Sequence, residues 1–492
     1  IDLKAGSNRT DGSTGKTTAI AGDAAGQGIV SSAAGVVRAA SIAALSSDLN
    51  TGISLAGNIQ ALGMLDANGA LLPGALSLVS AGDIRMVSGG VAGNADLRAA
   101  GALQIARDLA AQGEISITAR DVSLLDTATV EGGRGLSIVA SADIVSAAVL
   151  KSGGAMTVDA GSSASLSGII ASVGNMNLRA TDKLATDTAT LVAPNIDIRA
   201  KDVVLTSTWL EPENQGSITA TNVEIGDGTQ FKKTSPVFIN ATEQLTIGTR
   251  IDTAGYPALA MAFRDLAISN TGVFTTGDRL FDVLNFRNAG VLLSSGQLAV
   301  NAQQAIIDAT GVIKAGTLRI TTAGNLTNLG GLLSETTLTL LSDGSVTNNG
   351  KITAAGELEL DAVNYIANSQ GAKLAARKAV LILGSELRNN GAISALETVD
   401  ISAGGAITNT GTISSNADLT LVAADLLNSG ATALIGTYGN LSITSGHLAN
   451  LLGTLQANGS FEIAASGSLT NAGLLLGRSD LGVTASALTN LE

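Results

Sequence analysis

The sequence predicts an all-β chain folded as a parallel β-solenoid, and three observations predict it. Asparagine recurs at near-constant spacing, hydrophobic triplets recur at the same spacing, and hydrophobic residues make up 45% of the chain while aromatics make up only 2%. The asparagine series runs Asn288, Asp308, Asn328, Asn348, Asn368, Asn389, Asn409, Asn428, Asn450, Asn471 and Asn490, in steps of 19 to 22 residues. The triplets begin at Leu298, Leu318, Leu338, Leu358, Val380, Val399, Leu419, Leu441, Phe461 and Leu481. Two marks that share one period define a repeat architecture.

One unit shows why the repeat is made of strands. Asn348 to Asp361 reads N-N-G-K-I-T-A-A-G-E-L-E-L-D. Asn and Gly mark a turn. Ile352, Leu358 and Leu360 alternate with Thr353, Glu359 and Asp361, the two-residue period of a strand with one buried face. No unit holds the longer 3.6-residue pattern that a helix needs. A unit of about 20 residues cannot close a core alone, but it can form one coil that hydrogen-bonds to the next at about 4.8 Å.

Composition fits a narrow interior filled by Leu, Ile, Val and Ala, where rings mostly do not fit. Gly is 59 of 492, which supplies turn positions, and Pro is only 5, because a strand paired on both edges cannot lose an N–H. The recurring Asn288, Asn328, Asn348, Asn368, Asn389, Asn409, Asn428, Asn450, Asn471 and Asn490 are expected to stack as a turn ladder. Their side-chain amides can satisfy turn backbone groups otherwise left without partners. The period predicts roughly 22 to 24 coils and a rod on the order of 105 to 115 Å.

Upstream the beat is fainter. Triplets begin at Ile115, Leu136, Met156, Met176 and Ile196, and Ile53, Leu76 and Leu97 extend it toward the start. After Ile196 the next candidates, Val223, Leu245, Leu266 and Leu298, follow at gaps of 27, 22, 21 and 32, which predicts loop insertions. The same stretch holds eight of the eleven aromatics: Trp209, Phe231, Phe238, Tyr256, Phe263, Phe274, Phe281 and Phe286. It also holds Pro212, Pro236 and Pro257. Three segments are therefore expected: a less regular solenoid over 1–204, an irregular zone with inserted loops over 205–287, and a regular solenoid over 288–492. The eight aromatics have two readings, a partner-contact surface or a small satellite core under the loops.

Charge and cysteine narrow the function. A net charge of −13 argues against nucleic acid and anionic membrane surfaces as partners. The absence of Cys excludes disulfides and zinc-thiolate sites. No run of 18 apolar residues predicts a membrane-spanning helix. Both ends read as mid-repeat sequence, as expected of an excerpt from a longer protein.

The pattern N-x-G-x-(I/L)-x-(A/S)-x-G-x-L-x-L-x-A, at Asn348 to Ala362 and around Asn409 to Ala423, resembles the haemagglutinin repeats of two-partner-secretion exoproteins. These include filamentous haemagglutinins and the stalks of contact-dependent growth inhibition effectors. The match is good over 288–492, weaker over 53–200 and poor over 205–287. The resemblance implies a right-handed parallel β-helix at the surface of a Gram-negative bacterium. It also implies export through a dedicated outer-membrane transporter, and a target-cell or host receptor as partner. The expected role is an elongated stalk segment of an adhesin or inhibition effector, with the irregular zone as the candidate receptor-contact segment.

Candidate chemistry is sparse. Gly12-Ser-Thr-Gly15-Lys16-Thr17 falls short of a phosphate loop, since Thr10 stands where that motif needs Gly. The alternative to a stalk is a polysaccharide-binding or polysaccharide-cleaving β-helix enzyme. Glu211 and Glu213 beside Trp209, with Asp265, Asp278 and Asp282, are its candidate carboxylates, but no spacing singles out a pair. His447 is the only histidine and reads as an exposed corner residue. Gly226-Asp227-Gly228 reads as a turn rather than a calcium site. No catalytic residue, cofactor or metal is expected.

Overall fold

The computed structural model describes residues 2–4, 29–31, 36–39, 41–46, 52–65, 68, 70–253, 259–383 and 385–491. All regular structure among them is strand. The chain divides into two compact units, Ile1–Leu245 with Tyr256–Ala262, and Thr246–Gly255 with Phe263–Glu492. Each is a stack of coils of roughly 20 residues, with parallel strands laid on parallel strands.

In the second unit, one coil consists of Leu338–Ser342, Val346–Asn348 and Lys351–Ala354. Leu338, Leu340, Val346 and Ile352 point inward and are fully buried, while Thr339, Leu341 and Thr347, which alternate with them along the strands, lie on the outer face. Each strand lies in register on its counterpart in the next coil: Leu338 on Leu358, Val346 on Ile366, Ile352 on Leu374. Every added coil therefore buries like side chains on like, at roughly 1.5–3 kcal/mol apiece. The turns stack as tightly as the strands. A Cβ on Gly350 would lie 2.1 Å from the Gly330 carbonyl oxygen, and one on Gly411 2.1 Å from that of Gly391. That close approach is why a glycine follows two residues after the asparagine.

The triplets at Leu298, Leu318, Leu338 and Leu358 are in register, as are Val399, Leu419, Leu441, Phe461 and Leu481. Val380 is displaced by one, because Ala379 occupies the stacking position between Leu358 and Val399. In the first unit Ile115, Leu136, Met156, Met176 and Ile196 stack continuously. Upstream, the position below Ile115 belongs to Ala95 rather than Leu97, and Ile53 stacks on Ile84, on a different face from Leu76.

The rhythm of the middle also differs from expectation. Ile196 stacks on Gly216, an ordinary 20-residue step, whereas Val223 stacks on Val203 in another strand of the coil. Leu266 stacks on Phe286, and Arg279 lies below Leu298. The irregular gaps arose from mixing two faces of one coil, because Gly216 and Arg279 hide inward-pattern positions from a hydrophobic scan. The widest step among the described residues lies elsewhere. Ile42 stacks on Leu76 across 34 residues, and the excess includes an antiparallel hairpin of Met64–Leu65 with Leu71–Leu72.

Candidate contact surface and asparagine ladder

The asparagines sit at the end of the second strand of each coil, inside the corner. Asn328 Nδ2 donates to Asn348 Oδ1 at 2.8 Å, Asn348 to Asn368 at 2.8 Å, Asn368 to Asn389 at 2.8 Å and Asn389 to Asn409 at 2.7 Å. The chain of bonds continues through Asn428, Asn450 and Asn471 to Asn490, each at 2.8 Å. From Asn328 to Asn450 these side chains are 0% exposed. Each amide also serves the backbone: Asn368 Nδ2 donates to the Ala392 carbonyl at 3.2 Å, and Asn348 Oδ1 accepts from Gly350 N–H at 3.2 Å. In a buried corner of low dielectric such bonds polarise one another in series.

Asn288 is outside this run. Its Nδ2 donates to the Val312 carbonyl at 3.2 Å, and its Oδ1 has no partner. The residue in register between Asn288 and Asn328 is Ile307, not Asp308. Asp308 lies on the surface and takes Arg287 in a two-pronged pair, Nε at 2.7 Å and Nη2 at 3.2 Å. That pairing raises the guanidinium pKa through the hydrogen bond first and the charge second. Ile307 and Asp308 are adjacent in the chain, and both fall within the spacing of the repeat.

A second set of corner oxygens escaped the sequence reading. Asp83, Asn94, Asp143, Asp278, Asn325, Asp418 and Asn440 each accept a backbone N–H from the following coil, at 2.7 to 3.0 Å. The signal was present in the sequence as Asp or Asn just before the strand triplets.

The aromatic residues separate by unit and by depth. In the first unit Phe231 is buried at 4% exposure in register with Leu210, Phe238 is exposed at 45%, and Trp209 is half-buried on the outer face. In the second, Phe274, Phe281 and Phe286 are interior. Phe281 meets Phe274 edge-on at 5.7 Å between centroids and the half-buried Phe263 at 6.2 Å. Tyr256 lies outside the described residues, as do Pro257 and the segment from Gly12 to Thr17. Phe231, Phe274, Phe281 and Phe286 thus pack the interior and offer a partner no surface. The interior accepts a ring where the next coil supplies a small residue, as Ala305 does above Phe286. Trp209 and Phe238 are the rings that keep an outer face, while Phe263 is half-buried against Phe281.

Trp209 is held in place. Its Nε1–H donates to Glu211 Oε2 at 3.0 Å, and Lys232 Nζ lies 3.0 Å from Glu211 Oε1. The tryptophan bond, then the lysine, hold the Glu211 carboxyl below its ordinary pKa, against a smaller opposing effect of burial. Two of the other carboxylates proposed for catalysis have structural partners. Asp265 accepts the Asn285 backbone N–H at 3.0 Å, and Asp278 that of Gln297 at 2.7 Å. His447 Nδ1 accepts the Ser468 N–H at 3.1 Å at an exposed corner. Asp227 accepts Gly228 N–H at 2.9 Å, and Gly228 sits at φ +73° in a turn. Among the described residues no three His, Asp or Glu side chains converge as metal ligands, and no helix is long and apolar enough to cross a membrane.

Stacked 20-residue coils with an internal amide ladder define a repeat module of the β-solenoid class. The Haemagglutinin repeat profile matches residues 90–245, 265–330, 329–451 and 436–492, well over half of the sequence, and the chain belongs to that family. The zone expected to match poorly is covered up to 245 and again from 265. No curated protein and no solved structure matches the chain. Proteins of the family are typically secreted surface proteins, and the repeat itself is of a structural, non-enzymatic kind.

Proposed function

We propose that this chain is a stalk segment of a secreted bacterial surface exoprotein, an adhesin or a contact-dependent inhibition effector, which presents a receptor- or host-binding region. The observation that carries the reading is the asparagine ladder. Nine asparagines bonded in one line from Asn328 to Asn490 link each coil to the next and fix coil register over a long run of repeats. A module that adds coils without adding a new core suits reach rather than chemistry. Export through an outer-membrane two-partner-secretion transporter follows from the family resemblance. Stepwise burial of each coil outside the cell would then favour outward movement of the chain. Within this role Trp209 and Phe238 of the first unit are the rings that a target-cell receptor would meet.

The test is binding of the labelled chain to target cells. The double variant Trp209→Ser, Phe238→Ser is expected to lose binding while keeping its strand spectrum. Binding equal to the unmodified chain removes the contact role. A compact particle in solution scattering removes the stalk.

A further inference from the structure

The outer face of the third strand in the first unit carries a charge pattern that is complementary to itself when reversed. Successive coils stack Glu131 on Lys151, Lys151 on Ala171, Ala171 on Val192 and Val192 on Glu211. Lys232 follows, paired to Glu211 at 3.0 Å. Read along the stack, the column is acid, base, apolar, apolar, acid, base. The column beside it runs Thr129, Val149, Ile169, Thr190, Trp209, Gln230. Ile169, beside Thr190 at its centre, is 47% exposed, and Val173, just beyond Ala171, is 73% exposed. An apolar centre with charged ends is the anatomy of an interface rather than of an ordinary solvated face.

We propose that this face binds a second copy of the chain, face to face and with the stacking directions opposed. A two-fold axis between Ala171 and Val192, parallel to the strands, keeps each column opposite itself and reverses its order. Glu131 then meets the second copy's Lys232, and Lys151 meets its Glu211. Ala171 faces Val192, Ile169 faces Thr190, and Val149 faces Trp209. Every charged position finds the opposite sign, and each end closes as a square of alternating charges. With the stacking directions parallel and columns in place, Glu would face Glu and Lys would face Lys, so the pattern selects one orientation. The tryptophan, pinned by Glu211, enters with little side-chain freedom to lose. Six coils by one strand cover about 29 Å by 13 Å, so roughly 750 Å² is buried in total, the scale of a weak, reversible contact. This interface gives Trp209 a partner other than a receptor, and the Lys151→Glu and Glu131→Lys variants below leave Trp209 and its Glu211 acceptor in place, so the two readings fail separately.

The test is sedimentation of the full chain over concentrations up to about 0.5 mM, a range that captures a weak dimer. The unmodified chain is expected to dimerise reversibly, less so as salt is raised. Lys151→Glu sets carboxylates against carboxylates on two symmetry-related rungs and is expected to weaken the dimer at least about tenfold. The double variant Lys151→Glu, Glu211→Lys restores opposite signs on every rung and, although it also removes the acceptor of the Trp209 indole, is expected to recover most of the affinity that Lys151→Glu loses. Glu131→Lys with its rescue Lys232→Glu repeats the logic at the outer rung, should either first variant fold poorly. A chain that stays monomeric throughout overturns the proposal. So does a dimer that the single reversals leave unchanged, or one that the paired reversals do not restore.

Discussion

Ile307 occupies the ladder position next to Asn328, and the buried Asn328 Oδ1 facing it has no donor. On Ile307's other side in the stack, Asn288 has an asparagine neighbour on neither side, since Ile268 precedes it. One isoleucine thus ends a line of eight side-chain bonds that runs unbroken to Asn490. Ile307→Asn would take a bond from Asn288 Nδ2 and give one to Asn328 Oδ1. The lost apolar burial, about 2–3 kcal/mol, is offset by two hydrogen bonds at about 1 kcal/mol each and by relief of an orphaned acceptor. The expected change is within about 1 kcal/mol. Ile366→Asn, at a fully buried site without a ladder, is expected to destabilise by about 3 kcal/mol or more. Denaturation of the two variants side by side checks this; equal losses would show that the amides have no ladder to join.

Within the ladder the sign reverses. Asn368→Ala removes the acceptor of Asn348 Nδ2 and the donor to Asn389 Oδ1. Two buried polar groups lose a partner each, at about 1–3 kcal/mol apiece. Because a solenoid unfolds by neighbouring coils rather than all at once, the effect should be local. Amide exchange should accelerate in the coils carrying Asn348 and Asn389 and stay unchanged near Asn471. Exchange that accelerates evenly along the second unit would argue against separable coils.

The aromatic residues give a contrast that is independent of any receptor. Phe281 is 2% exposed and meets two other rings, so Phe281→Ala is expected to cost about 3–5 kcal/mol by leaving a cavity. Phe238, 45% exposed, should tolerate Ala within about 1 kcal/mol. Melting of each variant distinguishes them. A mild Phe281→Ala would mean that the ring does not hold its coil together.

The period and strand class were legible because two residue types kept time together. Register to the single residue was not. Ala379 stacks between Leu358 and Val399, yet alanine beside Val380 carries no stronger hydrophobic signal than its neighbour. Gly216 and Arg279 erase the triplet where the coil continues, so the steps from Ile196 to Gly216 and from Arg279 to Leu298 read as longer gaps. Depth was the least legible quantity. Phe231 and Phe238 lie seven residues apart in one aromatic cluster, one inside and one outside, and only the parity of each strand decides which. The pairing of Trp209 with Glu211 was within reach, since residues two apart on a strand share a face.

That pairing makes a prediction about acid. Glu211 in the folded chain holds its charge to lower pH than a free glutamate, whose ordinary value is 4.5, chiefly because Trp209 donates to it and secondly because Lys232 lies beside it. A carboxyl whose folded pKa is depressed contributes stability that is fully present above its unfolded pKa. That contribution is lost as pH falls from there through the folded value. With 33% of the side chain exposed, solvent screens the effect and the global loss should be small. The local signal is clean, because Trp209 is the only tryptophan in the chain. Its emission should stay constant down to the ordinary glutamate range and change only below it. Lys232→Met should move that change to higher pH, and Glu211→Gln should abolish it. An emission midpoint at or above the free-glutamate value would show that Glu211 is not held by the indole.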